Sequence, residues 1–314
     1  MTAVETTTRD TNMNAGVLAF ADASLSTSTR RAYASDLRSF DSYCAKVGAT
    51  SMPATANAVA AWAAHKATEG AKASTITRAM AAIATAHKQA GHASPTSSAK
   101  VTAVLSGIRR TLGTAPKQKS AMVVEDLRRA VATCGDDVAG VRDAALLVVG
   151  FAGAFRRSEI AGLTVDDVAF EAGGVVVILR RSKTDQQGEG RTVGLPYGSD
   201  PTTCPVRTLQ RWLAVSGVVE GPLFRSLTRH GHVGAAISGE AIGDVVRARA
   251  NSAGLTGDYS GHSLRAGFVT TAAKANKSLS TIMAQTGHTS TATVLGYIRR
   301  ASLFADNGAS GIGL

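Results

Sequence analysis

Aromatic residues are scarce, 5% of the 314-residue chain, and there are three cysteines, Cys44, Cys134 and Cys204. A core short of rings must be built from aliphatic side chains. Much of the 44% hydrophobic content is alanine, which favours helix over strand. Three scattered thiols, odd in number and outside any CxxC or HxxxH spacing, exclude a disulfide frame and a zinc site; they read as reduced thiols of a cytoplasmic protein. Long apolar runs are missing too. The longest, Ala144–Phe155, lies between Asp143 and Arg156, is too short to cross a bilayer and reads as a buried helix, so no membrane partner is expected. Met1–Gly16, rich in Thr and Asn, lacks the apolar centre of a signal peptide. Acids are in deficit: 23 Asp and Glu face 34 Lys and Arg, a net charge of +11. Such an excess displaces counterions from a polyanion, which makes nucleic acid one reading. Anionic lipid, or a basic surface with no partner, are the others.

A chain of this length exceeds what one core usually serves, so two domains are expected. Residues 1–24 read as a polar, disordered leader. Residues 25–112 read as an all-α domain with helices over Arg30–Val47, Asn57–Glu69, Ser74–Ala90 and Ser97–Leu112, set apart by Gly48, Gly70, Gly91 and Pro95. Its polar faces carry Arg78, Lys88, Arg109 and Arg110 with few acids, a pattern that suits phosphate contact, although solvated faces also carry such residues. Residues 113–120 read as a basic linker, with Pro116 barring helix and Lys117 and Lys119 placed to touch DNA. Residues 121–314 form the second domain and its tail. Helices are expected near Val123–Cys134 and over Arg142–Phe155, then strands Thr164–Phe170, Gly174–Arg181 and Arg191–Leu195, the last two joined by a turn at Asp185–Gly190. Helices follow at Val206–Ser216, Gly239–Ala253, Ser263–Ala275, Leu279–Thr286 and Thr291–Ser302. The fold class is therefore mainly α with a small antiparallel β-sheet (α+β).

Several residues in the second domain could carry chemistry. Arg156 ends the apolar run, and Glu159 lies three residues on, within reach on one helix face; seen alone, these two are better explained by a structural ion pair. Lys183 sits at the tip of the β-hairpin, where a lysine is ordinarily just solvated. His262 and Arg265 share a face at a helix start, where an anion is stabilised. Gly287-His288 precedes the last helix, and Tyr297 lies on that helix nine residues later. Each is common alone. The ordered set, Arg-x-x-Glu, hairpin Lys, His-x-x-Arg, Gly-His and Tyr, in a basic two-domain chain, is not.

In these residues, and in the stretches Ser260-Gly-His-Ser-Leu-Arg265, Leu209–Gly217 and Ile282–Arg299, the chain resembles the tyrosine recombinase (phage integrase) family, particularly its Cre-type members. The resemblance runs from about Ser26 to Ser302. It implies a core-binding domain and a catalytic domain that form a C-shaped clamp on DNA. Arg156 and Arg265 match the two catalytic arginines, Lys183 the hairpin lysine, His262 the histidine of His-x-x-Arg, His288 the second histidine and Tyr297 the nucleophile, with Glu159 in support. Cre-type members carry Trp where this chain has His288, so here it follows the wider family. They can also place a base-reading arginine near Ser238-Gly-Glu240; Glu240 implies a different target sequence.

The resemblance implies site-specific recombination through a 3′-phosphotyrosyl intermediate and a Holliday junction, without metal, ATP or other cofactor. Two guanidiniums suit a phosphorane because each binds two oxygens and neither deprotonates. His262 would take the Tyr297 proton, Lys183 would protonate the leaving 5′-oxygen and His288 would donate to a non-bridging oxygen. The implied partners are double-stranded DNA with an inverted-repeat target site and three further copies in a homotetramer on two sites, with any accessory or directionality factor unidentified. Leu303 and Phe304 in the tail would dock on a neighbouring protomer. A bacterial or phage protein of the cytoplasm and nucleoid is expected. Three alternatives remain open: a type IB topoisomerase, a non-catalytic DNA-binding protein on the same fold, and a metal-dependent nuclease, which the adjacent pairs Asp136–Asp137 and Asp166–Asp167 serve poorly because neighbouring side chains diverge.

Overall fold

A computed structural model of the chain describes residues 25–115, 119–180 and 190–301. Its contacts divide into two units between Lys117 and Gln118.

The first unit consists of helices α1 (Thr27–Val47), α2 (Ala56–Thr68), α3 (Ala73–Gln89) and α4 (Ala99–Leu112). Ser26, Thr55 and Ser98 cap α1, α2 and α4 by accepting from the backbone N–H groups of Thr29, Ala58 and Val101, each cap contributing about 1 kcal/mol. The Ser26 cap explains why α1 starts three residues ahead of Arg30. The core is aliphatic around two rings, Phe40 and Trp62, that meet edge-on at 5.2 Å, with Val59, Ile76, Ile83 and Val101 around them. Two buried polar side chains are satisfied. Asp36 receives Nε and Nη2 of Arg78 at 2.8 and 2.9 Å. His87 bridges the Ala54 N–H and the Ile83 carbonyl, both at 2.8 Å.

The second unit is built on α6 (Val138–Ala152), which is apolar on nearly every side and hence buried. Asp137 caps it through the Gly140 N–H at 2.9 Å, so the helix begins four residues ahead of the expected Arg142 and also stops earlier. α5 (Val124–Ala132), α8 (Pro205–Ser216) and α9 (Gly239–Ser252) pack on it or beside it. Trp212 of α8 is fully buried and donates its indole N–H to the Leu223 carbonyl at 2.8 Å.

Strands β1 (Val168–Glu171), β2 (Gly174–Leu179) and β3 (Arg191–Pro196) form an antiparallel sheet in that order. The register pairs Val177 with Val193 and turns Val175, Val177, Leu179, Val193 and Leu195 into the core, leaving Phe170 and Ile178 exposed. β1 is shorter than expected because Val165–Asp167 is a 3₁₀ turn, fastened by the Asp167 carboxylate on the N–H and hydroxyl of Thr164. The expectation of one small sheet is corrected by a second, β4 (Arg225–Leu227) with β5 (Val233–Ala236). Strands of three and four residues are too short to show an alternation.

Helices α7 (Arg157–Gly162), α10 (Gly261–Lys274), α11 (Leu279–Thr286) and α12 (Thr291–Ala301) complete the unit. Ahead of α5, the chain lies flat on α10. A Cβ added at Gly267 would stand 1.7 Å from the Met122 carbonyl oxygen, so only glycine admits this approach. Met122 donates its N–H to Ser263, Ser120 donates to Asp258, and Lys119 pairs with Asp258 at 2.6 Å. Lys119 and Ser120, expected in the linker, are thus fixed on the second unit, whereas Lys117 falls outside the described residues. Among the described residues no helix is long and apolar enough to cross a membrane.

Candidate active site

Past the end of α6 the chain turns through Ala154, a non-glycine residue with φ of 48°, before Arg156 caps α7. Left-handed backbone at an alanine costs on the order of 1 kcal/mol and persists where the surroundings impose it. Here it presents the Ala154 carbonyl to the guanidinium of Arg265, whose Nη1 donates to it at 2.7 Å. The sequence reading put Arg156 at the end of a buried helix; instead, it opens the next one. Its backbone N–H donates to Glu159 Oε2 at 2.9 Å and its Nη1 to Oε1 at 2.5 Å.

Arg265 sits one turn into α10 and is 2% exposed. Its Nη2 is buried without a hydrogen-bond partner among the described residues. Burial first, and then the positive charge of Arg156, push its pKa down to about 10. A buried cation with an unused donor is costly until an anion arrives.

His262 lies three residues before Arg265. Its Nε2 is 2.8 Å from the hydroxyl of Tyr297 on α12. Burial, then the charges of Arg265 and Arg156, lower the His262 pKa below 6.5, so the ring is neutral at pH 7 and Nε2 can accept the tyrosine proton. α12 is held to its own unit by a small apolar cluster of Val269, Ala272, Ile282 and Val294, which Tyr297 borders.

His288 follows the left-handed C-cap of α11, Gly287, with φ of 63°. Its Nδ1 is 2.7 Å from Thr286 Oγ1, whose own proton is directed at the Ile282 carbonyl at 2.8 Å. The threonine oxygen therefore accepts, which assigns the proton to Nδ1 and leaves Nε2 bare. Burial, followed by the charges of Arg265, Arg156, His262 and Arg191, pushes the His288 pKa down to about 4.

The structure thus brings together Arg156, Glu159, His262, Arg265, His288 and Tyr297 from the start of α7, from α10 and α12, and from the corner between α11 and α12. Lys183 lies outside the described residues. One member escaped the sequence reading: Arg191, the first residue of β3. Its Nη1 donates to the Gln285 carbonyl at 2.6 Å, and its Nη2 lies 3.5 Å from Glu159 Oε2. Two guanidiniums, those of Arg156 and Arg191, meet the Glu159 carboxylate, which is 5% exposed and whose charge also acts on Arg265. The resulting surplus of positive charge in a low-dielectric cleft suits a phosphodiester. Among the described residues no three His, Cys, Asp or Glu side chains group to hold a metal ion.

Of the basic residues expected to meet DNA, Lys88, Arg109 and Arg110 are exposed. Arg78 is instead engaged by Asp36, and Lys119 by Asp258. Glu240 is exposed in the first turn of α9, where its charge complements the helix end.

Comparison with known proteins gives the same picture. The structure is similar to lambda integrase, solved as a dimer bound to a COC′ core site, with 16% identity over 91% of this chain and 93% of that one at a TM-score of 0.61. It is also similar to the XerH site-specific recombinase bound to palindromic difH substrate, with 18% identity over 88% and 80% and a TM-score of 0.63. The fold is that of the tyrosine recombinases. The phage integrase family model matches residues 120–302, and the phage integrase N-terminal SAM-like domain matches residues 20–93. The chain belongs to the phage integrase family. A curated relative, the integrase/recombinase xerD homolog of Selenomonas ruminantium, is 38% identical over 174 residues, which span 55% of this chain and 51% of that one.

Proposed function

We propose that the protein is a site-specific DNA recombinase that cleaves one strand at a time with Tyr297. The observation that carries this reading is the 2.8 Å approach of His262 Nε2 to the Tyr297 hydroxyl beside the buried, half-unpartnered guanidinium of Arg265. The Tyr297 oxygen attacks the scissile phosphorus and its proton passes to His262. Arg156 and Arg265 hold the non-bridging oxygens as charge builds on the phosphorane. The bond from phosphorus to the 5′-oxygen breaks, and that oxygen takes a proton from Lys183. The product is a 3′-phosphotyrosyl link with a free 5′-hydroxyl. Because the bond energy is retained, a 5′-hydroxyl from a second duplex can reverse the step without ATP or metal. Two rounds pass through a Holliday junction.

The same reading assigns residues 25–112 as the core-binding domain and 121–314 as the catalytic domain. Lys88, Arg109, Arg110, Lys117, Arg78 and Lys119 contact phosphates, Arg78 and Lys119 with donors left over from their pairs with Asp36 and Asp258. The working assembly is a homotetramer on two inverted-repeat sites, with Leu303 and Phe304 docked on a neighbour, in the bacterial cytoplasm or nucleoid. The similarity of the fold to recombinases solved with DNA supports a DNA substrate. The test is covalent trapping. DNA selected for binding from a genomic library is made into a nicked suicide substrate, incubated with protein in EDTA and run on a denaturing gel. An adduct with wild type and none with Tyr297→Phe is expected; specific binding without an adduct overturns the reading.

A further inference from the structure

Arg191 lies between two parts of the site and meets both. On one side its Nη2 faces the Glu159 carboxylate, which also holds the backbone and guanidinium of Arg156. On the other side Nη1 caps the carbonyl of Gln285 at the end of α11, where the helix dipole is negative. The body of the guanidinium lies against Gly287: a Cβ there would fall 2.9 Å from Nε and 3.0 Å from Cδ of Arg191. Gln285 returns the tie, its side-chain amide donating to the carbonyls of Ala152 and Gly194 at 2.8 and 3.2 Å.

We propose that Arg191 is a positioning residue that clamps the Gly287–His288 corner to the Arg156–Glu159 pair and so sets the span across which the scissile phosphate is held. A planar fork suits this task, since its two ends face two different acceptors; a lysine ammonium reaches only one of them. Because Arg191 opens β3, it also anchors that strand at its first residue. Its Nε is buried without a hydrogen-bond partner among the described residues, so the guanidinium is held through Nη1 and Nη2 alone. The charges facing His288 are those of Arg265, Arg156, His262 and Arg191, so the imidazole senses the loss of any one of them.

The inference rests on the recombinase reading for its effect on catalysis, but its geometry can be tested apart from it. The experiment compares wild type, Arg191→Gln and Arg191→Lys by single-turnover cleavage of the suicide substrate, by DNA affinity and by NMR titration of the His288 ring in the free protein. Arg191→Gln is expected to cleave about 10- to 100-fold more slowly, the usual cost of removing a supporting partner, with affinity changed less than about threefold. Its His288 resonance should shift, with a midpoint above that of wild type. Arg191→Lys should recover only part of the rate. Wild-type cleavage in the Gln variant, full rescue by lysine or an unmoved His288 signal would each overturn the proposal. Should Arg191→Gln fail to fold, Gly287→Ala presses a methyl group on the retained guanidinium and should slow cleavage to a similar degree; an unchanged rate would again overturn it. If wild type itself forms no adduct, the enzymatic reading fails and the His288 titration alone decides this one.

Discussion

Nε2 of His262 stands 2.8 Å from the hydroxyl oxygen of Tyr297, 35 residues further along the chain, so the acceptor for the tyrosine proton is in place before DNA arrives. The acceptor works only while the imidazole is neutral, and its pKa lies below 6.5. The rate of adduct formation should therefore be level from about pH 8 to 6.5 and fall at lower pH as the ring is protonated. His262→Ala should lose about 10²- to 10⁴-fold in rate and the acid limb with it. Single-turnover cleavage against pH measures both, and an acid limb centred above 6.5 would contradict the assignment.

Arg265 serves an absent anion at the cost of the free fold. Arg265→Met should abolish the adduct yet leave the melting temperature within a few degrees of wild type, since an apolar chain of similar volume avoids burying an uncompensated charge. The Ala154 carbonyl loses its donor, which limits any gain to about the 1–3 kcal/mol at stake there. Thermal unfolding beside the cleavage assay checks this; a drop of more than about 8 °C would show that the guanidinium is a structural prop.

His288 should couple DNA binding to proton uptake. Its Nδ1–H is spent on Thr286, so Nε2 can donate to a phosphate oxygen only after a second proton is bound. The free protein resists that proton down to about pH 4. A bound phosphodiester adds a negative charge that offsets these cations and raises the pKa. At pH near 5.5, calorimetry in buffers of different ionisation heat should register close to one proton taken up per bound subunit, about zero in His288→Gln. Equal uptake in both proteins would remove His288 from the phosphate site.

The same two histidines shape stability in acid. Both have folded pKa values below 6.5, so the unfolded chain binds more protons once pH drops through that value. Stability should fall between about pH 6.5 and 4, by on the order of 2 kcal/mol from His288 alone. Urea unfolding across that range, beside His288→Gln with a shallower slope, is the measurement.

Ala154 should tolerate nothing larger. It is fully buried in a left-handed turn, so Ala154→Val adds both strain and volume and should cost about 2 kcal/mol or more. Chemical denaturation gives the cost. Because the carbonyl that orients Arg265 moves with it, cleavage should fall as well.

How much of this could be read from the residues alone depended on chain distance. His262 and Arg265 are one helical turn apart, and Gly287-His288 leads directly into the helix of Tyr297, so local spacing carried them. Glu159 was legible because it caps the helix that Arg156 opens. Arg191 was not, since a lone arginine at the head of a short strand has no periodicity, and its partners lie 32 and 94 residues away. The early start of α6 was hidden for a similar reason: Asp137 was weighed as half of a carboxylate pair when its task is to cap a helix. The pairing of Arg78 with Asp36, 42 residues earlier, was likewise hidden from any local count of charge.

The apolar cluster that seats α12 on its own unit has a genetic consequence. His262 and Tyr297 meet within one chain, so on the proposed mechanism a protein lacking Tyr297 and a protein lacking His262 have nothing to lend each other. Mixing the two should restore no cleavage at all, and adding either to wild type should reduce strand exchange in step with the fraction of damaged subunits in each assembly.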